Sequence, residues 1–255
     1  MSSRKLFTLG NPKTAKGAAR NYLTAVLHLA PFNLSGVNVC PMAELAGCVR
    51  ACLNVAGRGG IAKGGVLTYD AIANGERTNV IQSARIARTR WYLTDRDGFM
   101  AAIAKEIRSL QRKAARLGVT LCVRMNGTSD IRWEDVPCEG APNVFAAFPT
   151  VQFYDYTKIP NRRRALDVSN YHLTFSYSHR PEFAAIVDKA RETYGARVSF
   201  AAVFASKAYP AEFLGRPVVN GDETDLRFLD APGVVVALYA KGRAKRDTSG
   251  FVVPV

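Results

Sequence analysis

The sequence predicts an α/β fold, a complete or partial (β/α) barrel of mostly parallel strands. Three observations carry this expectation. Short apolar runs alternate with amphipathic, helix-like segments along most of the 255-residue chain. A helix or a long crossover separates most successive runs, as parallel neighbours require. No G-x-G-x-x-G fingerprint follows a first strand, which weighs against an open dinucleotide-binding sheet and leaves the TIM-like barrel preferred.

In chain order, residues 1–36 read as a basic lead-in segment. A short helix is expected over the apolar run 22–29, between the breakers Asn11-Pro12 and Pro31. Residues 37–255 form the single barrel domain, with short strand candidates at 37–40 and 65–69. Basic residues recur along a helix-like stretch at 83–91. The clearest helix spans 97–117, where Phe99, Ile103, Ile107 and Leu110 recur at three- and four-residue spacing. Asp97 is its expected N-cap and Gly118 its stop. Strands are expected at 119–125, 151–156 and 171–177. A helix follows at 181–194, with Pro181 at its start and Gly195 at its end. Further strands fall at 197–204, 216–220 and 234–239.

Composition narrows the function classes. A hydrophobic content of 48% with 22% charged residues is that of an ordinary globular domain. No stretch reaches the roughly 18–20 apolar residues of a membrane span, and no secretory-type apolar run follows the basic N-terminus. The expectation is a cytoplasmic protein without a membrane partner. Its five cysteines would then be thiols or metal ligands rather than a disulfide frame. The net charge of +14, from 35 Lys and Arg against 21 Asp and Glu, is compatible with nucleic acid as a partner and equally with a solvated basic surface.

Sites in parallel α/β folds lie at the carboxyl ends of strands. The residues there are polar throughout: Asn126, Gly127, Thr128, Ser129 and Asp130 after one run; Asp155, Tyr156, Thr157 and Lys158 at the end of the next; then Ser176 to His179, Ser206-Lys207, the acidic GDETD of residues 221–225, and Lys241. A shared rim site is expected from them, although loops are polar in any case.

One segment stands apart, CPMAELAGCVRACLNVAGRGG at residues 40–60. Cys40, Cys48 and Cys52 are separated by seven and three residues. Three thiolates can hold three irons of a 4Fe-4S cluster and leave the fourth iron open, the arrangement that radical SAM enzymes use to chelate S-adenosylmethionine. Their cysteine gaps are three and two, so the spacing here departs from theirs. A complete four-thiolate site needs another ligand: Cys138 in a loop, Cys122 in a strand, or a histidine. Zinc is the alternative metal, although only Cys48 and Cys52 have the close pairing of a structural zinc site. Without metal, the same pair would occupy one face of a short helix. Gly57, Gly59 and Gly60 would let backbone approach an anion or cofactor closely.

The set CPMAELAGCVRACLNVAGRGG, FMAAIAKEI, VRMNGTSDIRWE, FYDYTK, GDETDLRF and GFVV resembles bacteriophage proteins related to the gene product 88 family, roughly over residues 35–253. The resemblance implies a phage-encoded protein in a bacterial cytoplasm, built as a trimmed radical-SAM-like barrel, and implies no particular reaction. It gives Cys40, Cys48 and Cys52 the ligand role. Arg124, Asn126, Ser129 and Asp130 would line the rim, with Asp155, Tyr156 and Lys158 on the neighbouring strand end. In catalysis, Arg124, Asp130, Asp155, Tyr156 and Lys158 would place the substrate, with Asn126 and Ser129 beside the cofactor.

A second mechanism uses overlapping residues. Tyr154 to Lys158 fits Y-x-x-x-K, the nucleophile motif of replication initiators that nick DNA through a tyrosine. Those enzymes also use an H-x-H pair, and the histidines here are scattered at 28, 172 and 179. No G-x-S-x-G elbow, Walker A loop or H-E-x-x-H is present. Asp222, Glu223 and Asp225 could bind Mg²⁺ or form a solvated turn.

Overall fold

A computed structural model describes residues 5–9 and 20–254. Among these residues, nine strands build one sheet, and a two-stranded hairpin stands apart. The strands are β1 (Phe7–Thr8), β2 (Tyr22–Leu27), β3 (Ile61–Ala62), β4 (Gly65–Val66), β5 (Thr120–Arg124), β6 (Gln152–Thr157), β7 (Tyr171–Ser176), β8 (Phe200–Phe204), β9 (Glu212–Phe213), β10 (Arg216–Asn220) and β11 (Val235–Tyr239). The sheet order is β1-β2-β5-β6-β7-β8-β11-β10-β9, with β3 paired to β4. From β2 to β10 all neighbours are parallel, and the two edge strands β1 and β9 pair antiparallel. No pairing joins β1 to β9 among the described residues. The mostly parallel α/β sheet is as expected; barrel closure is not observed.

The α-helices among the described residues are α1 (Tyr69–Ala73), α2 (Val80–Thr94), α3 (Arg96–Leu117), α4 (Val144–Ala147) and α5 (Ala184–Tyr194). In α3 the apolar stripe of Phe99, Ile103, Ile107 and Leu110 is buried in the main core, each side chain contributing about 1.5–3 kcal/mol. Its N-cap is Asp95, whose carboxylate accepts the Gly98 N–H at 3.0 Å. Asp97, the expected cap, lies one step inside the first turn, where its charge faces the positive end of the helix dipole. Gly118 ends the helix at φ +64°, where a side chain would be strained.

The N-terminal reading needs correction. Residues 22–27, expected as a helix in a lead-in segment, form a strand aligned with β5 from Tyr22↔Thr120 to Val26↔Arg124. Pairing between two strands overrides a local pattern that periodicity alone leaves ambiguous. The lead-in thus supplies β1 and β2 to the main sheet, while Asn11-Pro12 lies outside the described residues. Residues 37–40 are loop rather than strand: the Asn38 side chain accepts the Cys40 N–H at 2.8 Å, and the Val39 carbonyl accepts the Asp130 N–H at 2.8 Å. Of residues 65–69, two form β4 and Tyr69 opens α1, capped by Thr68.

Alternation along the strands divides side chains between two faces. Val123, Phe153, Phe175 and Phe200 pack with α3 and α5 in the main core. On the other face, Cys122 and Tyr154 meet Leu226, while Ala201 and Val236 meet Tyr156 and Leu238. The loop after β10 covers part of this second face, burying Thr224, Asp225, Leu226 and Arg227.

Candidate functional site

Beyond that loop, the second face opens into a cavity of about 610 Å³ at the carboxyl ends of the parallel strands. The same alternation sets its wall. Val26 and His28 come from β2 and its extension, Arg124 and Asn126 from β5, Tyr156 and Lys158 from β6, Ser176 from β7, Val203 from β8, and Leu238 from β11. The cysteine segment lines it too, and Cys40, Cys48 and Cys52 all reach it.

The three thiols are free and make long polar contacts. Cys40 Sγ lies 3.6 Å from the Thr128 carbonyl, and Cys48 Sγ 3.6 Å from the Ala43 carbonyl. Cys52 Sγ accepts the Asn54 N–H at 3.5 Å as the cap of a single 3-10 turn, Leu53–Val55. Residues 49–51 form a turn and no helix spans 48–52, so the expected short helix face is absent. Burial pushes all three thiols up, Cys52 to about 11, and the sulfurs lie close enough to repel one another as thiolates. A buried thiol of this kind ionises only when a cation compensates it.

Lys158 supplies one such charge. Its Nζ donates to Ser176 Oγ at 2.7 Å and to the Ser176 carbonyl at 3.1 Å, 4.7 Å from the Phe251 ring centroid. Burial lowers its pKa, and the charge fields of Cys48, Asp130, Cys52 and Cys40 oppose that shift. Asp130 fixes the β6 end, accepting Thr157 Oγ1 and the Lys158 N–H, each at 2.7 Å. Behind it, fully buried Arg162 pairs with Glu134 through Nη2 at 2.5 Å and lies 3.7 Å from Asp130.

Arg124 forms the second charged wall. It pairs with Asp225 at 3.3 Å and lies 4.6 Å from the Tyr156 ring centroid. Burial works against its charge, but Asp225 and Tyr156 outweigh it, and its pKa is raised. Asn126 is spent on structure: its Oδ1 accepts Ser129 Oγ, the Ile131 N–H and Trp133 Nε1, and its Nδ2 donates to the Ile131 carbonyl. Gly127 has no room for a side chain, since a Cβ there would lie 2.5 Å from the Leu27 carbonyl. These contacts hold the NGTSD loop against β2.

The cavity therefore brings together Cys40, Cys48, Cys52, Gly57, Arg124, Asn126, Ser129, Asp130, Tyr156 and Lys158. Asp155 lies behind it, fully buried, and acts through Asn126. Gly59 and Gly60 lie off the cavity; Cβ atoms there would meet the Asn54 and Val55 carbonyls at 2.7 and 2.0 Å, so their smallness serves the chain's own packing. Neither remaining cysteine reaches the cavity. Cys122 faces Thr24 within the sheet, and Cys138 is buried with its Sγ 4.0 Å from the Met100 carbonyl. Among the histidines only His28 lines the cavity, and burial with Arg85, Arg124 and Arg88 nearby lowers its pKa to about 3.

Two sequence expectations fail on geometry. Tyr154 is fully buried with its hydroxyl 3.2 Å from Asp225, so it presents no nucleophile to a DNA phosphate. The GDETD carboxylates diverge: Asp222 binds Lys241, Tyr209 and the Tyr239 N–H, Glu223 accepts from Asn220, and Asp225 meets Arg124. Missing from the sequence-derived site were Phe32, Tyr69, Tyr239 and Phe251. These aromatic residues come from separate parts of the chain and share no spacing that would mark them in the sequence.

Among the described residues, no three His, Cys, Asp or Glu side chains converge as ligands of a metal ion. A cluster would place each thiolate on its own iron; the three half-buried cysteines line one cavity. No helix among the described residues is long and apolar enough to cross a membrane. A family model described as Gene product 88 matches residues 3–254. No curated protein and no solved structure matches the chain.

Proposed function

The chain belongs to the gene product 88 family, and we propose that it is a phage-type iron–sulfur protein of the host cytoplasm. In this reading Cys40, Cys48 and Cys52 hold a four-iron cluster at the mouth of a partial, radical-SAM-like barrel. The observation that carries it is the segregation of the cysteines: three line one cavity and two are buried elsewhere. Topology adds support, since β2, β5, β6, β7, β8 and β11 run parallel in sequence order and the cysteine loop leaves the first of them. With three thiolates, a cluster supplies electron transfer and an iron open to a small ligand such as S-adenosylmethionine.

The chain's own residues have clear tasks around that site. The Lys158 ammonium offsets the negative charge of three thiolates in a site of low polarity. Asp130 fixes the backbone that carries Lys158, and the Arg124–Tyr156 wall orients whatever enters. A cavity of about 610 Å³ lies within the range of small-molecule sites.

Anaerobic reconstitution tests the proposal. The protein should be brown and carry about four irons with matching labile sulfide per chain. Serine at Cys40, Cys48 or Cys52 should abolish this, while Cys122→Ser and Cys138→Ser should leave it. A colourless product, or iron retained in the Cys40/Cys48/Cys52 triple serine variant, would sink the reading.

A further inference from the structure

We propose that the mouth of the cavity binds single-stranded nucleic acid, with phosphates on the turn after β11 and a base directed into the cavity. The 3-10 turn Gly242–Arg246 stands at this mouth: Lys241 and Ala244 on either side of its start line the cavity. The turn rests on the cysteine segment, where a Cβ on Gly242 would lie 3.3 Å from Ala56 Cβ. Arg243, Lys245 and Arg246 are exposed, and none has a carboxylate within 4 Å among the described residues. Five residues of 3-10 helix span about 8 Å, so the three cations serve more than one phosphate.

An aromatic residue joins this charge to the cavity. Tyr239 lines the wall, and the ammonium groups of Lys207 and Lys245 lie 5.5 and 5.2 Å from its ring centroid. Tyr69, Phe32 and Tyr156 line the same cavity. Cations outside an aromatic-walled recess suit a ligand whose charge is on its backbone and whose side groups are flat, which describes a single strand. An acidic peptide would carry its carboxylates, not flat rings, into the same apolar walls, at a desolvation cost. A duplex would keep its bases stacked and out of reach. The proposal does not rest on the cluster, and the two can fail separately.

The test uses the full chain with fluorescent 12-mer single-stranded DNA and RNA, an abasic 12-mer and polyglutamate as probes. The triple variant Arg243→Glu, Lys245→Glu, Arg246→Glu should weaken oligonucleotide binding at least tenfold. It should also reduce the salt slope by about 2, since three phosphate contacts contribute about 0.7 each. The same reversal at Lys105, Arg112 and Arg116 on α3 should change affinity less than threefold. The milder glutamine triple at 243, 245 and 246 repeats the measurement should the glutamate variant fold poorly. Tyr239→Ala should weaken normal oligomers and spare the abasic one. Comparing DNA with RNA assigns the sugar. Equal losses from the turn and from α3, polyglutamate binding as tight as the oligomers, or an equal effect of Tyr239→Ala on the abasic strand would each overturn the proposal.

Discussion

The Asp155 carboxylate accepts the backbone N–H of Asn126 at 2.6 Å, tying the end of β6 to the loop that leaves β5. Its other oxygen accepts Asn126 Nδ2 at 3.3 Å and the Tyr171 hydroxyl at 3.1 Å. A buried carboxylate with these partners sets the shape of the NGTSD loop from behind the cavity. Asp155→Asn places an amide donor against donors and should destabilise the fold by about 2–3 kcal/mol, read from urea denaturation. Burial raises Asp155 to about 7, against the Asn126 N–H and the arginines. Its folded pKa exceeds its unfolded value, so its contribution is full below about pH 4 and fades as pH rises through 7. The gap between wild type and variant should narrow from pH 5 to pH 8; a gap that widens would contradict this account.

Arg162 should be the most sensitive buried charge. Its Nε donates to Glu134 at 2.9 Å, and its Nη2 donates to the Tyr171 hydroxyl at 2.9 Å. Arg162→Met leaves Glu134 buried and unpaired beside Asp130 and should cost about 3–5 kcal/mol. Adding Glu134→Leu should recover part of that loss, because the orphaned charge goes with it. Thermal melts of both variants decide the point.

Acid should destabilise the protein through two half-buried histidines. His28 is held to about 3 and His172 to about 4, both mainly by burial. Below pH 6.5 the unfolded chain takes up protons that these rings refuse in the fold, so stability falls from pH 6.5 toward 4. His172→Gln should flatten that limb by about 2 kcal/mol, measured as the difference in unfolding free energy between pH 7 and pH 4.5.

Loading of the cysteine site should depend on pH in the opposite sense. All three thiols are raised and must ionise to ligate, so binding releases protons. Cluster incorporation should increase between pH 6.5 and 8.5, followed by iron content at fixed time and reagent. Lys158→Met removes the nearest ammonium and should move the onset to higher pH.

Tyr154→Phe tests the nicking mechanism. With its hydroxyl on Asp225 inside the sheet, its loss should cost about 1 kcal/mol. Incubation with single-stranded DNA should trap no covalent adduct on the wild-type tyrosine; an adduct there would require a different arrangement of β6.

The sequence by itself determined much of the framework. The α3 stripe, Gly118 and six parallel strands follow from periodicity and turn chemistry, which act between near neighbours. Strand polarity placed Arg124, Asp130, Tyr156 and Lys158 at one rim, because residues two apart on parallel strands share a face. Only the tertiary structure decided what depends on distant partners. Residues 22–27 become a strand because β5 lies beside them, and Tyr154 loses its reach because the 221–229 loop closes over it. Asp155 passes from the rim to the support behind it through its bond to Asn126. The same holds for the cysteines of residues 40–60: spacing marked three as a group, and packing separated them from Cys122 and Cys138 by burying each in a different part of the fold.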